Sequence, residues 1–159
     1  MKRRSGRRGF TLVELLCVSA ALCILAGAAA LAFGEADERR IVREEAEELR
    51  SWLSSRMAQA AREGADFKLY PVDDNARHYE LMLEWDGGSR DMEHETYLPE
   101  RADIGLTKTA REYKFDGEWF TLTPAASFII RSRKDFSIRL FVTVSGSGYA
   151  GVYETLEEQ

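Results

Sequence analysis

The sequence predicts an α+β fold, one long N-terminal helix followed by antiparallel β-sheet, on three observations. From Phe10 to Gly34 run 25 residues of which Glu14 is the only charged one. The next stretch is dense in charge, yet apolar residues recur through it at Val42, Ala46, Leu49, Leu53, Met57 and Ala60, in steps of three and four. That is the spacing of one helix face. Beyond Gly64 the apolar pattern shifts to period two and is punctuated by turn residues, the mark of short strands.

Taken in order, residues 1–9 carry Lys2, Arg3, Arg4, Arg7 and Arg8 and no acid, so by the positive-inside rule this end stays in the cytoplasm and the rest is exported. The uncharged stretch Leu15–Phe33 has 19 residues, about the length that spans a bilayer as a helix. Ile41 and Trp52 widen the apolar stripe of the following segment. No proline precedes Pro71, and Gly64 is a stop signal. Phe10–Glu63 is therefore expected to form one nearly continuous helix, about 80 Å long at 1.5 Å per residue. The amphipathic part covers under three heptads, too short for a sustained coiled coil.

After the helix, Phe67-Lys68-Leu69-Tyr70 alternates, and Pro71 and Asp73-Asp74-Asn75 interrupt. His78–Trp85 reads as a strand, and Asp86-Gly87-Gly88-Ser89 as a turn into Arg90–Tyr97. Asp116-Gly117 joins Tyr113-Lys114-Phe115 to Glu118–Leu122 as a second hairpin. Ser127–Arg131 and Phe136–Val144 flank Arg133-Lys134-Asp135, and Gly146-Ser147-Gly148 turns into Tyr149–Thr155. About seven short strands result, mostly antiparallel because their connections are short.

Three kinds of export signal fit a basic leader before an apolar run. An ordinary secretory signal would be cut near Ala28-Ala29-Ala30, but a charge at Glu14 and the length of the run oppose it. A lipoprotein signal would end at Cys17 or Cys23, but each follows a leucine where a small residue is expected. The third is a prepilin-type leader. Gly9-Phe10-Thr11-Leu12-Val13-Glu14-Leu15-Leu16 resembles the cleavage and methylation motif of type IV pilins and type II secretion pseudopilins. The resemblance implies that a prepilin peptidase cuts after Gly9 and methylates the new N-terminal Phe10. It also implies that Glu14 faces the N-terminus of a neighbouring subunit in a filament.

The chemistry agrees with that implication. A charge at bilayer depth costs about 2.5–3.5 kcal/mol or more, and pairing a buried carboxylate removes much of its penalty. The amine exposed at Phe10 of a neighbour is such a partner. The alternative is that Glu14, near the end of the helix, snorkels to the interface. One departure from the pilin pattern is Leu31, at a position where many pilins carry a helix-kinking proline; it bears on helix shape, with Gly27 and Gly34 as the local weak points.

The chain's net charge is −5, and loss of the five leader cations leaves −10 on residues 10–159. Such a charge favours solubility and disfavours nonspecific binding to nucleic acid or anionic lipid. Both cysteines lie in the apolar run. The part beyond has no disulfide framework and must be held by its own core. The expected division is a leader over 1–9, a transmembrane or filament-core helix over 10–34, an amphipathic helix over 35–64 and a β-rich exported head over 65–159. Among pilin-like proteins, the cysteine-free strand-rich head is most similar to the GspH/FimT group of minor pseudopilins. The final element Phe136–Val152, a long strand, a glycine turn and a last strand, is similar to that group's C-terminal hairpin.

Catalytic and metal-binding patterns are sparse in the head. In a strand, Glu93 and Glu95 share one face and His94 points to the other, so the three do not converge on a metal. His78 has no evident partner. Asp73, Asp74 and Asn75 read as a turn, and the EF-hand spacing is absent. There is no P-loop, dinucleotide fingerprint, Gly-x-Ser-x-Gly or Cys/His pair. No cofactor, no metal and no enzymatic activity are expected.

The basic cluster Arg131, Arg133, Lys134 and Arg139 remains. Some FimT-type pilins are DNA receptors, so the resemblance implies duplex DNA as an alternative partner for these residues. Asp135 interrupts the cluster and Glu154-Thr155-Leu156-Glu157-Glu158-Gln159 is acidic, which favours a charge-blunted hairpin instead. The expected role is thus a noncatalytic minor pseudopilin of a type II secretion system or related type IV pilus machine. Its expected partners are the prepilin peptidase, the inner membrane, other pilins along the N-terminal helix, and secreted cargo.

Overall fold

The computed structural model describes residues 11–73, 79–87, 93–107 and 110–155. The chain divides into two compact units, Met1–Asp37 and Glu38–Gln159. Helix α1 (Leu12–Glu63) contributes to both. It ends where the sequence places a glycine: Gly64 takes a φ of 62°, and the Ala65 N–H donates to the Ala60 carbonyl at 3.0 Å. This closes the last turn in a Schellman arrangement that only a residue tolerant of positive φ allows.

Among the described residues the second unit adds nine strands to the helix: β1 (Asp66–Asp73), β2 (Tyr79–Asp86), β3 (His94–Tyr97), β4 (Ala102–Leu106), β5 (Tyr113–Asp116), β6 (Thr121–Thr123), β7 (Ala126–Ser132), β8 (Arg139–Val144) and β9 (Ala150–Tyr153). One sheet runs β3-β2-β1-β5-β6 and the other β4-β7-β8-β9. Every pairing is antiparallel. Pro71 fits because β5 pairs with β1 only over Phe67–Leu69, so the missing N–H falls past the end of that ladder.

The count differs from the seven strands expected. The strand with no counterpart among the expected segments is β4, whose sequence Ala-Asp-Ile-Gly-Leu does not alternate; Ala102, Asp103 and Ile104 are all buried. Strand β8 begins at Arg139, not at Phe136. The Ser132 hydroxyl accepts from the Lys134 and Asp135 N–H groups, and the Ile138 N–H donates to the Asp135 carbonyl. These bonds curl 132–138 into a loop. The second hairpin turn is wider than Asp116-Gly117, since β6 starts at Thr121. The first hairpin's tip lies largely outside the described residues.

The stripe on α1 is the centre of the core. Val42, Ala46, Leu49, Leu53, Met57 and Ala60 are each at most 2% exposed and join one cluster with Phe67, Leu83, Trp85, Phe115, Phe128 and Val142. Phe67 bridges its sheet, stacked on Phe115 at 4.9 Å and edge-on to Trp85 at 5.7 Å. Full burial of one such side chain stabilises by about 1.5–3 kcal/mol.

Two buried acids tie helix to sheets. Glu45, 2% exposed, accepts from the Arg101 backbone N–H at 3.0 Å and from its Nε at 3.4 Å. Arg101 also pairs with Glu44 at 2.9 Å, and that hydrogen bond, with a second from Arg40, holds the Glu44 carboxyl below the usual range. Glu38 accepts from the buried Ser132 hydroxyl at 2.7 Å and from Lys134 Nζ. Burial first, and then the nearby Glu48 and Glu45 charges, push the Tyr97 phenol well above its ordinary value.

Gly117 is required by close approach. A Cβ there would run into the Ala65 and Ala60 carbonyls, and the Gly117 N–H donates to Asp66 Oδ1 at 2.9 Å. Gly117→Ala is expected to destabilise the head by about 1–3 kcal/mol through overpacking, and Leu49→Ala by about 2–5 kcal/mol through a cavity. Urea unfolding followed by tryptophan fluorescence checks both. The alkaline limb provides a third expectation. The unfolded chain releases a tyrosine proton near pH 10, while folded Tyr97 holds its proton to higher pH. The stability that Tyr97 contributes is therefore intact below about pH 10 and declines as pH rises past it. Tyr97→Phe is expected to flatten that decline in a pH series of unfolding midpoints.

Candidate assembly site

At the start of α1 the residue order Thr-x-x-Glu forms a capping box. The Thr11 N–H donates to Glu14 Oε2 at 2.8 Å, the Thr11 hydroxyl donates to the same oxygen at 3.0 Å, and the Glu14 N–H donates to the Thr11 hydroxyl at 3.2 Å. Thr11 is thus the N-cap and Glu14 the third helical residue. Two backbone donors that the helix leaves without an internal partner are satisfied reciprocally. Among the described residues, Thr11 is the one partner of the Glu14 carboxylate. Gly9 and Phe10, the residues expected at the cleavage and methylation site, lie outside the described residues.

The helix that follows presents apolar side chains to all sides. Leu15, Leu16, Leu22, Ile24 and Leu25 are 60–73% exposed. It is the one described helix long and apolar enough to cross a membrane. A helix apolar all round is stable only where lipid or other helices cover it. The Ser19 hydroxyl donates to the Leu16 carbonyl at 2.9 Å, so this hydroxyl bonds within the helix. Cys17 and Cys23 are free and exposed.

The basic cluster of the head is divided by its surroundings. Arg133 donates from Nε to Asp103 Oδ1 at 3.1 Å and from Nη2 to the Pro99 and Ala102 carbonyls. Arg131 lies 4.0 Å from the same buried Asp103 and 5.0 Å over the Phe136 ring. Lys134 is held by Glu38. Arg139, opposite Arg131 in the β7–β8 register, lies over Phe141. Three of the four cations therefore serve the head's own buried acids, and they do not form one open basic surface.

The other candidates are placed as follows. Glu95 accepts from the Trp85 indole at 3.2 Å and pairs with Arg56 at 2.6 Å, while His94 and Glu93 are exposed. No group of three potential metal ligands occurs among the described residues. Asp73 ends β1; Asp74, Asn75 and His78 lie outside the described residues. The buried acids Glu38, Glu45 and Asp103 went unnoticed in the sequence. The available signal was spacing: Glu38 and Glu45 fall on the same stripe as Val42 and Leu49.

Comparison with known proteins bears on this geometry. The prokaryotic N-terminal methylation motif matches residues 4–30. No curated protein sequence matches the chain. Two crystal forms of the type IV minor pilin FimU from Pseudomonas aeruginosa are similar in structure. One has a TM-score of 0.53 at 16% identity, covering 69% of this chain and 90% of that one. The other has a TM-score of 0.55 at 16% identity, covering 74% and 91%. At that identity the likeness is one of fold. The chain is accordingly pilin-like, with a prepilin-type methylation motif and a fold of one long N-terminal helix on antiparallel sheets.

Loss of the N-cap is expected to loosen the first turn without touching the head. Thr11→Ala should cost the helix start about 1 kcal/mol, and Thr11→Ser should restore it. Amide hydrogen exchange at Leu12–Leu15 in detergent micelles measures the difference.

Proposed function

We propose that the chain is a noncatalytic minor subunit of a pilin-like filament, a pseudopilin of a type II secretion system or a related type IV pilus machine. The peptidase cuts between Gly9 and Phe10 and methylates the Phe10 amine. Residues 10–34 then serve first as the inner-membrane anchor and later as the filament core, 35–64 as the amphipathic support, and 65–159 as the exported head. The single observation that carries this reading is the register of the matched motif with the exposed apolar helix. One carboxylate, Glu14, stands in the first turn of a helix that otherwise offers only apolar contact.

Assembly follows from that chemistry. In the lone subunit the capping box holds Glu14 in place, but Thr11 supplies no charge to oppose it. A neighbour's Phe10 amine does. A correctly stepped neighbour neutralises the carboxylate, and a misplaced one leaves it unpaired in an apolar bundle. The minor position is supported by the fold's likeness to the minor pilin FimU. A DNA-receptor role draws no support from the geometry, because Arg131, Arg133 and Lys134 are occupied by Asp103 and Glu38.

Two substitutions at one position separate cap from charge. Glutamine completes a capping box as glutamate does, but it carries no charge. Glu14→Ala and Glu14→Gln are both expected to leave cleavage intact and to abolish copurification with filament subunits. Full incorporation of Glu14→Gln alongside failure of Glu14→Ala would assign Glu14 to helix capping and overturn the pairing role.

A further inference from the structure

A cleft of about 340 Å³ opens on the outer face of the β4-β7-β8-β9 sheet. Phe128 and Val142 enter the core, so their strand neighbours Ser127 and Thr143 point to the opposite face. Ser127 pairs with Thr143, and Thr143 with Gly151. The Thr107 N–H donates to the Ser127 carbonyl at 3.2 Å, so one row crosses four chain segments, about 14 Å at the usual strand spacing. Ser127 Oγ lies 3.2 Å from Thr143 Oγ1, and Thr107 Oγ1 donates to the Ser127 carbonyl at 2.9 Å. Among the described residues no charged side chain lines this cleft, although charged residues make up 31% of the chain. Clefts elsewhere on the head, at Arg43 and at Arg133, each hold an arginine and a carboxylate.

Two tyrosines flank the row. Tyr153 folds back over Gly151: a Cβ at Gly151 would stand 2.6 Å from the Tyr153 hydroxyl and 2.7 Å from its ring. The glycine thus leaves that ring room to lie along the sheet. Tyr149 is 67% exposed, yet its backbone is braced. Its N–H donates to Ser145 Oγ at 3.1 Å, and its carbonyl accepts from the Ser145 N–H at 2.9 Å. The preceding Gly148, at a φ of 72°, packs on Phe120, where a Cβ would stand 2.6 Å from the ring. An aromatic side chain held out by a fixed turn offers contact area at low entropic cost.

We infer that this cleft binds a neutral carbohydrate, a short segment of an uncharged polysaccharide. A sugar ring presents apolar C–H faces and a rim of hydroxyls. The rings of Tyr149 and Tyr153 match the faces. The serine, threonine and tyrosine hydroxyls, each both donor and acceptor, match the rim. A charged ligand finds no counter-charge in this lining, and a wholly apolar one would strip water from the hydroxyls without replacing its hydrogen bonds. The volume falls in the range of small-ligand pockets. The inference stands apart from the filament reading, because every residue of the cleft belongs to the head.

The test titrates the full chain by isothermal titration calorimetry, in an uncharged polyoxyethylene detergent that itself carries no sugar. The probes are cellohexaose, maltohexaose and chitohexaose, with hexagalacturonate as the charged counterpart. At least one neutral hexamer is expected to bind at least tenfold more tightly than hexagalacturonate. Tyr149→Ala should weaken that binding at least tenfold. Tyr153→Phe, which keeps the ring over Gly151 and removes the hydroxyl, should weaken it several-fold, and it carries the test should Tyr149→Ala fail to fold. Phe136→Ala, at an exposed aromatic outside the lining, should leave binding unchanged. Failure of all three neutral hexamers to bind, equal binding of hexagalacturonate, or unchanged binding in both tyrosine variants would overturn the proposal. So would displacement of the bound hexamer by an uncharged hexapeptide of serine and glycine, which would identify a peptide groove instead.

Discussion

The head depends on one contact, the apolar stripe of α1 buried in a single core with side chains of two antiparallel sheets. Val42 through Ala60 supply the helix side of a core that contains no disulfide and no described metal cluster. Everything else is arranged to keep that stripe in register. Gly117 lets the β5–β6 turn close on the helix end. Glu45 with Arg101, and Glu38 with Ser132 and Lys134, fix the helix rotation by polar bonds that only one alignment satisfies. Breaking either pair would strand a buried carboxylate, a larger loss than the bond itself contributes.

The same helix carries a second kind of surface at its start. There the side chains have no core to enter, and their exposure in the lone chain defines a face for lipid or for other helices. Glu14 occupies the first turn of that face in two capacities. Its hydrogen bonds with Thr11 are local and form in a single subunit. Its charge has no counterpart within that box. A residue satisfied in hydrogen bonding but not in charge is suited to discriminate among neighbours, since only a cation in the correct place completes it.

Much of this was legible in the sequence, for identifiable reasons. The helix stripe and its glycine stop depend on local periodicity and on one backbone conformation, and both are written in consecutive residues. The hairpins around Asp116-Gly117 and Gly146-Ser147-Gly148 carry their own turn chemistry. Strand β4 was hidden because Asp103 breaks its polarity pattern, and the buried aspartate is met by Arg131 and Arg133, distant in sequence. The same long-range pairing concealed the fate of the basic cluster. Glu38 and Glu45 look like solvent-facing charges until the sheets supply Ser132, Lys134 and Arg101. The capping box is also legible in the sequence, as a threonine three residues before a glutamate at the start of the apolar run.

The central claim is that the apolar helix is released as a new N-terminus for assembly, not discarded as a signal or kept as a plain anchor. Intact-mass and N-terminal analysis of the chain, produced in a host with active prepilin peptidase, tests it most directly. The account predicts a product that begins at N-methylated Phe10. A product still carrying residues 1–9, or one cut near Ala28–Ala30, would contradict it.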